Sequence, residues 1–459
     1  MTDHPTPVRV LSPTGMLGAG FPASSIDRGL ALGADVLSVD AGSTDSGPYY
    51  LGSASTKATE AAVARDLRIL LTAAARADIP LIVGSCGTSG TDTGVDWVAA
   101  ITARVQAEEG LSLPVARIYS EQDPARLKEH LAQGRVHPLP PLGELDPEVL
   151  ASCTHVVGMM GHHPIVEALR AGARVVLCGR ATDTAVAAAY PLSRGLPPGP
   201  VWHAAKIVEC GGQATTNPVA GGVLATIDAT GFTIEPLAED AACTPDSVAA
   251  HMLYETADPY EMREPAGTID VRAATYTALD ERRVRVEGSL FHPAAQHTTK
   301  LEGARVTGYQ TMSFAAIRDP GILGRIDEWE RFLHEMLTSR VQQTLGLGEG
   351  DYDYDVRLYG HNAVLGGLEP AAAAPPREVG VMLLVNAADQ ATATAVAKVA
   401  NPLLLHLPTR GMAYLPSFAF ATSPAEVERG AVYEFALNHV VDSAPTELFR
   451  TEHGEQTHA

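Results

Sequence analysis

The sequence predicts an α/β fold with a mostly parallel, doubly wound sheet, and two observations support this class. Up to about residue 210, short runs rich in β-branched side chains alternate with longer segments of helical periodicity. This alternation is typical of strand–helix–strand units, which build a parallel sheet covered by helices on both faces. The composition agrees, because 46% apolar residues, 5% aromatic residues and 42 glycines suit an alanine-rich α/β protein with many tight turns.

Six apolar runs predict the strands of the first domain, which we place at residues 1–210: 8–11, 35–39, 80–83, 114–118, 155–157 and 173–177. Apolar side chains at helical spacing predict helices between these strands, at 56–77, 95–109, 124–133 and 164–171.

Two further regions follow. Residues 211–345 are predicted to be β-rich and to close a cleft at the carboxyl edge of the sheet. We predict a hairpin at 226–234, a helix at 247–255, a strand at 282–288 and a helix at 322–345. Residues 346–459 are predicted to be a small, ferredoxin-like α+β domain. It has strands at 354–360 and 379–385, a flexible or extended linker between them at 370–376, and a helix at 390–400. The tail from Thr451 is predicted to be frayed.

The charge and the cysteines narrow the function classes. A net charge of −21 argues against binding to nucleic acid or to an anionic membrane, and an anionic substrate then needs a locally basic pocket. The five cysteines contain no C-x-x-C pair, which argues against a disulfide framework or a cysteine–zinc site. No signal-peptide pattern is present, and no apolar run approaches the ~20 residues that cross a bilayer, so we expect a cytoplasmic protein.

Four loops follow predicted strands and are expected at one edge of the sheet: 40–47, 84–92, 158–163 and 179–183. Glycines let the backbone approach a ligand and hydroxyls supply short donors, although both are also ordinary turn formers. Arg180 is the predicted anchor for a carboxylate; the alternative is that it pairs with a surface acid while Thr182 or Asp183 caps a helix. The other predicted substrate-binding residues are Ser43, Thr44, Ser85, Cys86, Gly87, Thr88, Ser89 and Thr182.

Acid–base chemistry has five candidates: Asp40, Asp183, Lys206, His162 and His163. One of the two adjacent histidines is a candidate acid or base, and no nearby ligand spacing completes a metal site around them. Lys206 and Glu209 fall three residues apart among apolar neighbours, which indicates a buried pair near the cleft or a solvated contact. Cys86 is either a small buried residue or a nucleophile.

The sequence leaves open whether the protein binds a cofactor. Residues 18–23, Gly-Ala-Gly-Phe-Pro-Ala, fit the G-x-G-x-x-A dinucleotide pattern, and Asp40 follows about twenty residues later. The segment 12–16 separates the first strand from these glycines by more than the pattern allows, and Pro22 lies in the turn. A nicotinamide cofactor held by Gly18 and Gly20 is therefore the alternative, and the leading hypothesis requires neither a cofactor nor a metal.

Three segments together, Gly179–Ala185, Trp202–Gly211 and Lys300–Ala304, resemble the acyclic terpene utilisation protein A family, and the similarity extends from about Val8 to the final domain. Residues 40–50 differ from the terpene-pathway members and indicate a divergent branch. The resemblance implies catabolism of small organic acids or their thioesters, often beside a small accessory protein. The C-terminal domain, similar to the family's ferredoxin-like domain, would supply such a partner's contacts within the chain.

The leading hypothesis is a lyase, of the hydratase or ammonia-lyase type, that acts on a small carboxylic acid or its thioester. The alternatives are a nicotinamide-dependent oxidoreductase and a non-catalytic ligand-binding subunit of a catabolic complex. The expected partners are the small-molecule substrate and further copies of the chain in a homo-oligomer.

Overall fold

The computed structural model describes residues 5–370 and 375–454, so most of the predicted linker 370–376 lies outside the described residues. The strands, in chain order, are β1 Val8–Ser12, β2 Val36–Asp40, β3 Leu81–Gly84, β4 Val115–Tyr119, β5 Val136–Pro138, β6 His155–Met159, β7 Val175–Cys178, β8 Val223–Ile227, β9 Gly231–Pro236, β10 Glu261–Glu264, β11 Gly267–Asp270, β12 Thr275–Ala278, β13 Val284–Glu287, β14 Leu290–Pro293, β15 Thr298–Ile317, β16 Tyr352–Tyr359, β17 Val379–Ala387, β18 Ala419–Phe420, β19 Glu426–Asp442 and β20 Arg450–His453.

The α-helices of the described residues are α1 Ala23–Ala31, α2 Pro48–Ser53, α3 Glu60–Ala77, α4 Asp92–Glu109, α5 Pro124–Ala132, α6 Pro147–Ser152, α7 His162–Arg170, α8 Asp183–Ser193, α9 Pro198–Val208, α10 Pro245–His251, α11 Pro320–Leu323, α12 Ile326–Leu345 and α13 Gln390–His406. Short 3-10 helices occur at Gly211–Ala214 and Gly366–Leu368. Across the described ranges, no helix combines the length and the apolar character that crossing a membrane requires.

The chain divides into two compact units. One contains the residues up to Arg305 together with those from Glu434 onward, and the other is Val306–Tyr433. The chain leaves the first unit within β15 and returns to it within β19. These boundaries differ from the predicted three regions, because the β-rich segment belongs to the first unit and the second unit begins before α12.

A mixed sheet organises the first unit, in the order β12-β13-β9-β8-β1-β2-β3-β7-β4-β20 within the described residues. The five inner strands, β1, β2, β3, β7 and β4, are parallel. Side chains of α7, α8 and α9 pack on one face, and those of α1, α3 and α4 pack on the other. Because both faces are covered, β2 and β7 are buried along their whole length. The predicted α/β class is confirmed, while the doubly wound arrangement stays a prediction.

Three predictions for this unit are corrected. β6 does not join the parallel strands; it pairs antiparallel with Lys300–Ala304 of β15. The hairpin of β8 and β9 does not cover the sheet edge but extends the sheet, because β8 pairs antiparallel with β1. The tail is ordered over Arg450–His453, which pairs antiparallel with β4, and the Arg450 guanidinium lies 4.0 Å from the centre of the Tyr119 ring.

Apart from the short α11 and β18, the second unit follows the order strand, helix, strand, strand, helix, strand. Its sheet runs β16-β17-β15-β19, and α12 and α13 bury an apolar face that contains Trp329, Leu333 and Val396. The strand β17 alternates buried and half-buried residues, as expected for a sheet with one covered face. The ferredoxin-like class of this part of the chain stays a prediction.

Candidate functional site

A cavity of about 690 Å³ lies where the inner parallel strands end. The carboxyl ends of parallel strands meet at one edge of a sheet, so residues far apart in sequence converge there. Its lining comes from the segments after β1, β2, β3 and β7, from the end of α9 and from the turn after α10: Pro13–Met16, Ala19–Pro22, Asp40, Gly42, Ser43, Asp45, Ser46, Lys57, Thr88, Asp183, Cys210, Gly212, Gln213, Pro218, Val219, Gly221, Tyr254 and Glu255.

Asp40 ends β2 and lies deep in this cavity, with 7% of the residue exposed. Oδ2 accepts a hydrogen bond from the Gly42 N–H at 3.0 Å, whereas Oδ1 is buried without a hydrogen-bond partner among the described residues. Burial, and then the charge of Asp183, raise the pKa of Asp40 well above its ordinary value, although Arg180 acts in the opposite direction. The surroundings of Asp40 therefore favour its protonated form, and one of its oxygens has no hydrogen-bond partner among the described residues.

Asp183 is the first residue of α8 and also lines the cavity. Its Oδ1 lies 3.4 Å from Nη1 of Arg180. Burial raises the pKa of Asp183, and Arg180 lowers it in part. The two carboxyls thus have different surroundings: Asp183 faces a guanidinium, and Asp40 has an oxygen with no partner.

Arg180 does not line the cavity and is buried beneath it, with 5% of the residue exposed. Its Nε donates to Oε2 of Glu302 at 3.0 Å, and Nη1 donates to Ser85 Oγ at 3.2 Å and to the Ala181 carbonyl at 2.8 Å. Burial lowers the pKa of this guanidinium, but Glu302 and Asp183 outweigh it and the net shift is upward. The carboxylates that Arg180 binds belong to the protein, so its role as a substrate anchor is not supported by this geometry.

Glycines allow the loops after β2, β3 and β7 to touch. A Cβ at Gly42 would lie 2.4 Å from the Thr88 Cα, and one at Gly90 would lie 2.1 Å from the Arg180 backbone nitrogen. Neither distance leaves room for a side chain. These two glycines therefore permit the three loops to pack into one floor.

The other predicted binding residues have mixed positions. Ser43 and Thr88 line the cavity, whereas Thr44, Ser85, Cys86, Gly87, Ser89 and Thr182 do not. Thr182 caps α8 by accepting the Ala185 N–H, and its hydroxyl donates to Oε2 of Glu264 at 2.8 Å. Cys86 is fully buried, and burial raises the pKa of its thiol, so it is a small core residue rather than a nucleophile.

His162 and His163 lie outside the cavity. They are the first residues of α7, which begins two residues before the predicted start because Pro164 is tolerated in a first helical turn. Their rings are 3.9 Å apart, the His162 ring is 5.4 Å from Trp202, and both line a separate pocket of about 250 Å³. Burial lowers the pKa of His162 to about 3. Burial also lowers the pKa of His163, and neither histidine lines the cavity.

The predicted pair of Lys206 and Glu209 is present and buried, with Nζ 2.5 Å from Oε1. Burial raises the pKa of Glu209 to about 8, and Lys206 lowers it in part. Burial alone would lower the pKa of Lys206, but the Glu209 carboxylate outweighs it and the pKa is raised. The next residue, Cys210, reaches the cavity wall.

The predicted dinucleotide loop is occupied by the protein itself. The backbone N–H groups of Gly18 and Gly20 donate to Oδ2 of the buried Asp66, at 2.8 and 3.1 Å. A dinucleotide site needs such N–H groups for the pyrophosphate, and a carboxylate in their place repels that group. Asp40, the predicted ribose ligand, has its unpaired Oδ1 buried beside Gly84. This loop does not fit a nicotinamide cofactor.

Sequence reasoning missed several residues of the site. Lys57 is the only cationic side chain among the described residues that line the cavity, against four carboxyls, Asp40, Asp45, Asp183 and Glu255. The locally basic pocket that an anionic substrate needs therefore rests on Lys57 among the described lining residues. Glu302 and Glu264 were missed as well; Glu264 lies beneath Thr182 and Thr184, and burial raises its pKa to about 7. Only Glu302 had a signal, since it lies within the family-like segment 300–304.

Fold and site together define an α/β protein with an acid-lined cavity at the carboxyl edge of its parallel strands. The chain matches the model of the acyclic terpene utilisation family protein AtuA over residues 50–438, and it belongs to that family, as its sequence segments predicted. The comparisons with curated proteins and with solved structures gave no match.

Proposed function

We propose that the protein is a catabolic enzyme of the lyase type, a hydratase or ammonia-lyase, that acts on a small carboxylic acid or its thioester in the use of acyclic terpenes. The observation that carries this proposal is the pair of carboxyls that share one cavity, the buried Asp40 and the half-buried Asp183. Burial raises the pKa of both, that of Asp40 well above its ordinary value, while the adjacent Arg180 guanidinium lowers that of Asp183 in part. Carboxyls whose surroundings separate their pKa values are the usual means of providing an acid and a base in one site. The family name supplies the substrate class.

The two carboxyls suit the addition of water to a double bond conjugated with a carboxyl group. Asp183, whose ionised form Arg180 favours, takes a proton from water as the water oxygen bonds to the β-carbon. Asp40, whose raised pKa favours the protonated form, gives a proton to the α-carbon. The addition consumes one molecule of water and leaves Asp183 protonated and Asp40 ionised, so a proton passes from Asp183 to Asp40 through solvent before the next turnover. Elimination is the reverse, and ammonia can replace water.

Lys57 is the proposed anchor for the anionic end of the substrate. It is exposed at the cavity, where Nζ donates to Ser46 Oγ at 3.2 Å. The four lining carboxyls disfavour further negative charge, so the rest of the substrate should be neutral. Met16, Phe21 and Val219 give the lining an apolar part for such a chain. These contacts favour an amphiphile with one anionic end.

The test is deuterium incorporation from D2O into acyclic terpenoid acids and their coenzyme A thioesters, followed by NMR, with mass spectrometry for added water. We expect Asp40→Asn to lower kcat by about 100-fold or more, as loss of a general acid does. Lys57→Ala should raise KM with a smaller effect on kcat, while Lys128→Ala, an exposed lysine outside the cavity, should change neither.

An active protein whose rate survives Asp40→Asn contradicts the assignment of the acid. A protein that binds members of the panel in a thermal-shift assay but exchanges and hydrates none is a ligand-binding subunit, and the proposal of a lyase then fails.

A further inference from the structure

Three side chains beside the cavity form a group with the composition of a metal site. Glu209 directly follows the last residue of α9, Cys210 comes next, and His251 is the last residue of α10. One ligand atom from each of the three lies within 4.8 Å of the others. Two helix ends thus bring a carboxylate, a thiol and an imidazole close together, although 40 residues of chain lie between Cys210 and His251.

His251 is the independent sign that this group binds something. The residue is 5% exposed, and its Nε2 is buried without a hydrogen-bond partner among the described residues. A buried polar atom without a partner destabilises the folded protein, because it has lost its hydrogen bonds to water. A cation bound to Nε2 would give this atom a partner, and no side chain in the described ranges provides one.

The surroundings also fit ligation. Lys206 donates to Oε1 of Glu209 at 2.5 Å, and a carboxylate can accept a hydrogen bond on one oxygen while it ligates a metal through the other. Such outer contacts orient ligands in many metal sites. Cys210 lines the cavity, so a metal bound to its sulfur has a side that faces the cavity. The lining carboxyls draw cations towards it.

We propose that Glu209, Cys210 and His251 bind one divalent cation of the zinc type, with an open coordination position towards the cavity. Thiolate and imidazole select zinc over magnesium or calcium, which prefer oxygen ligands. Three protein ligands with an open fourth position are typical of catalytic rather than structural zinc. Binding exchanges the thiol proton of Cys210, released to solvent, for a metal–sulfur bond. This site does not depend on the proposed lyase reaction.

The experiment uses the full-length protein after dialysis against a chelator, with Co²⁺ as a spectroscopic probe and Zn²⁺ in calorimetric titration. We expect one ion per chain and a cobalt–thiolate charge-transfer band. Cys210→Ser should abolish the band, and His251→Ala should weaken Zn²⁺ binding by about 100-fold or more. Lys206→Met, which removes the outer contact, should weaken it by about 10–100-fold. Cys153→Ser, a half-buried cysteine elsewhere, should leave band and affinity unchanged.

A second measurement covers variants that fail to fold. In the unaltered protein, Zn²⁺ should protect Cys210 from alkylation, as read by mass spectrometry of its peptide, and should leave the labelling of Cys153 unchanged. The proposal is overturned if no Zn²⁺ binds at millimolar concentration, if the band persists in Cys210→Ser, or if Zn²⁺ leaves the alkylation of Cys210 unaltered.

Discussion

Replacement of Arg180 by methionine should destabilise the protein rather than impair substrate binding alone. The guanidinium is 5% exposed and is bonded to Glu302, Ser85 and Ala181. Methionine leaves Glu302 buried with only Lys300 as a charged partner, at 2.9 Å, and leaves Asp183 without its guanidinium. Removal of one member of a buried ion pair costs about 3–5 kcal/mol, because an uncompensated charge stays buried.

The assay is urea unfolding followed by circular dichroism, with Arg174→Ala as the matched control. Arg174 precedes the same strand β7 and pairs with Asp78 at 2.6 Å, but Asp78 is 93% exposed. Exposed pairs contribute about 0–1 kcal/mol, so the control should unfold almost like the unaltered protein. If the Arg180→Met variant loses no more stability than the control, the interpretation of Arg180 as a buried structural cation is wrong.

We also expect the loss of stability in the Arg180→Met variant to depend on pH. Burial raises the pKa of Glu302, but Arg180 and Lys300 outweigh it and lower the pKa to about 2 from an ordinary value of 4.5. A carboxyl with a lowered pKa in the folded state stabilises the protein above the unfolded value, and this stabilisation is lost as the pH falls towards the folded value. The loss of stability in Arg180→Met should therefore be largest near neutral pH and shrink below about pH 4.5.

Two further replacements test the floor of the cavity. A Cβ at Gly84 would lie 2.5 Å from Cγ2 of Val186 and 2.6 Å from Oδ1 of Asp40, so Gly84→Ala should displace that carboxyl and abolish deuterium exchange. Gly143→Ala, where a Cβ meets nothing within 4 Å, should leave exchange unaffected, and equal activity of the two variants argues against the geometry. Burial raises the pKa of Glu264 to about 7 from 4.5, so the native state binds its proton more tightly and loses stability as the pH rises between these values. Glu264→Gln removes that loss and should gain stability relative to the unaltered protein between pH 5 and pH 8 in urea unfolding, whereas a difference independent of pH refutes the assignment.

Local pattern predicted the inner parallel strands and the long helices of the first unit, because strand and helix periodicities appear within a few consecutive residues, but it missed the long strands β15 and β19. Local pattern did not predict which strands pair with each other. The run at β6 is apolar enough to be a strand, but its pairing with Lys300–Ala304 of β15 depends on a segment that lies far along the chain. In the same way, β8 was recognised as half of a hairpin, while its pairing with β1 is a property of the open edge of the sheet.

In the site, too, the sequence predicted residues with a local signal and missed those that only the fold brings together. Asp40 and Asp183 were predicted because each lies at or soon after the carboxyl end of a buried strand, and that position leads to the carboxyl edge of the sheet. The role of Arg180 was not predictable, since its main partner, Glu302, is 122 residues away. His251 has no local signal at all, because a single histidine at the end of a helix is common, and only the fold brings it to Cys210.

The strand β20 gives the first unit an unusual order of assembly. It forms the outer edge of the sheet beside β4, yet the ribosome makes it only after the whole of Val306–Tyr433. During synthesis, β4 therefore waits with an exposed hydrogen-bonding edge while the second unit is made, and such edges are a hazard for aggregation. For the protein engineer, a stop codon after Arg305 leaves that edge open. Excision of the second unit instead requires a loop that joins Arg305 to Glu434.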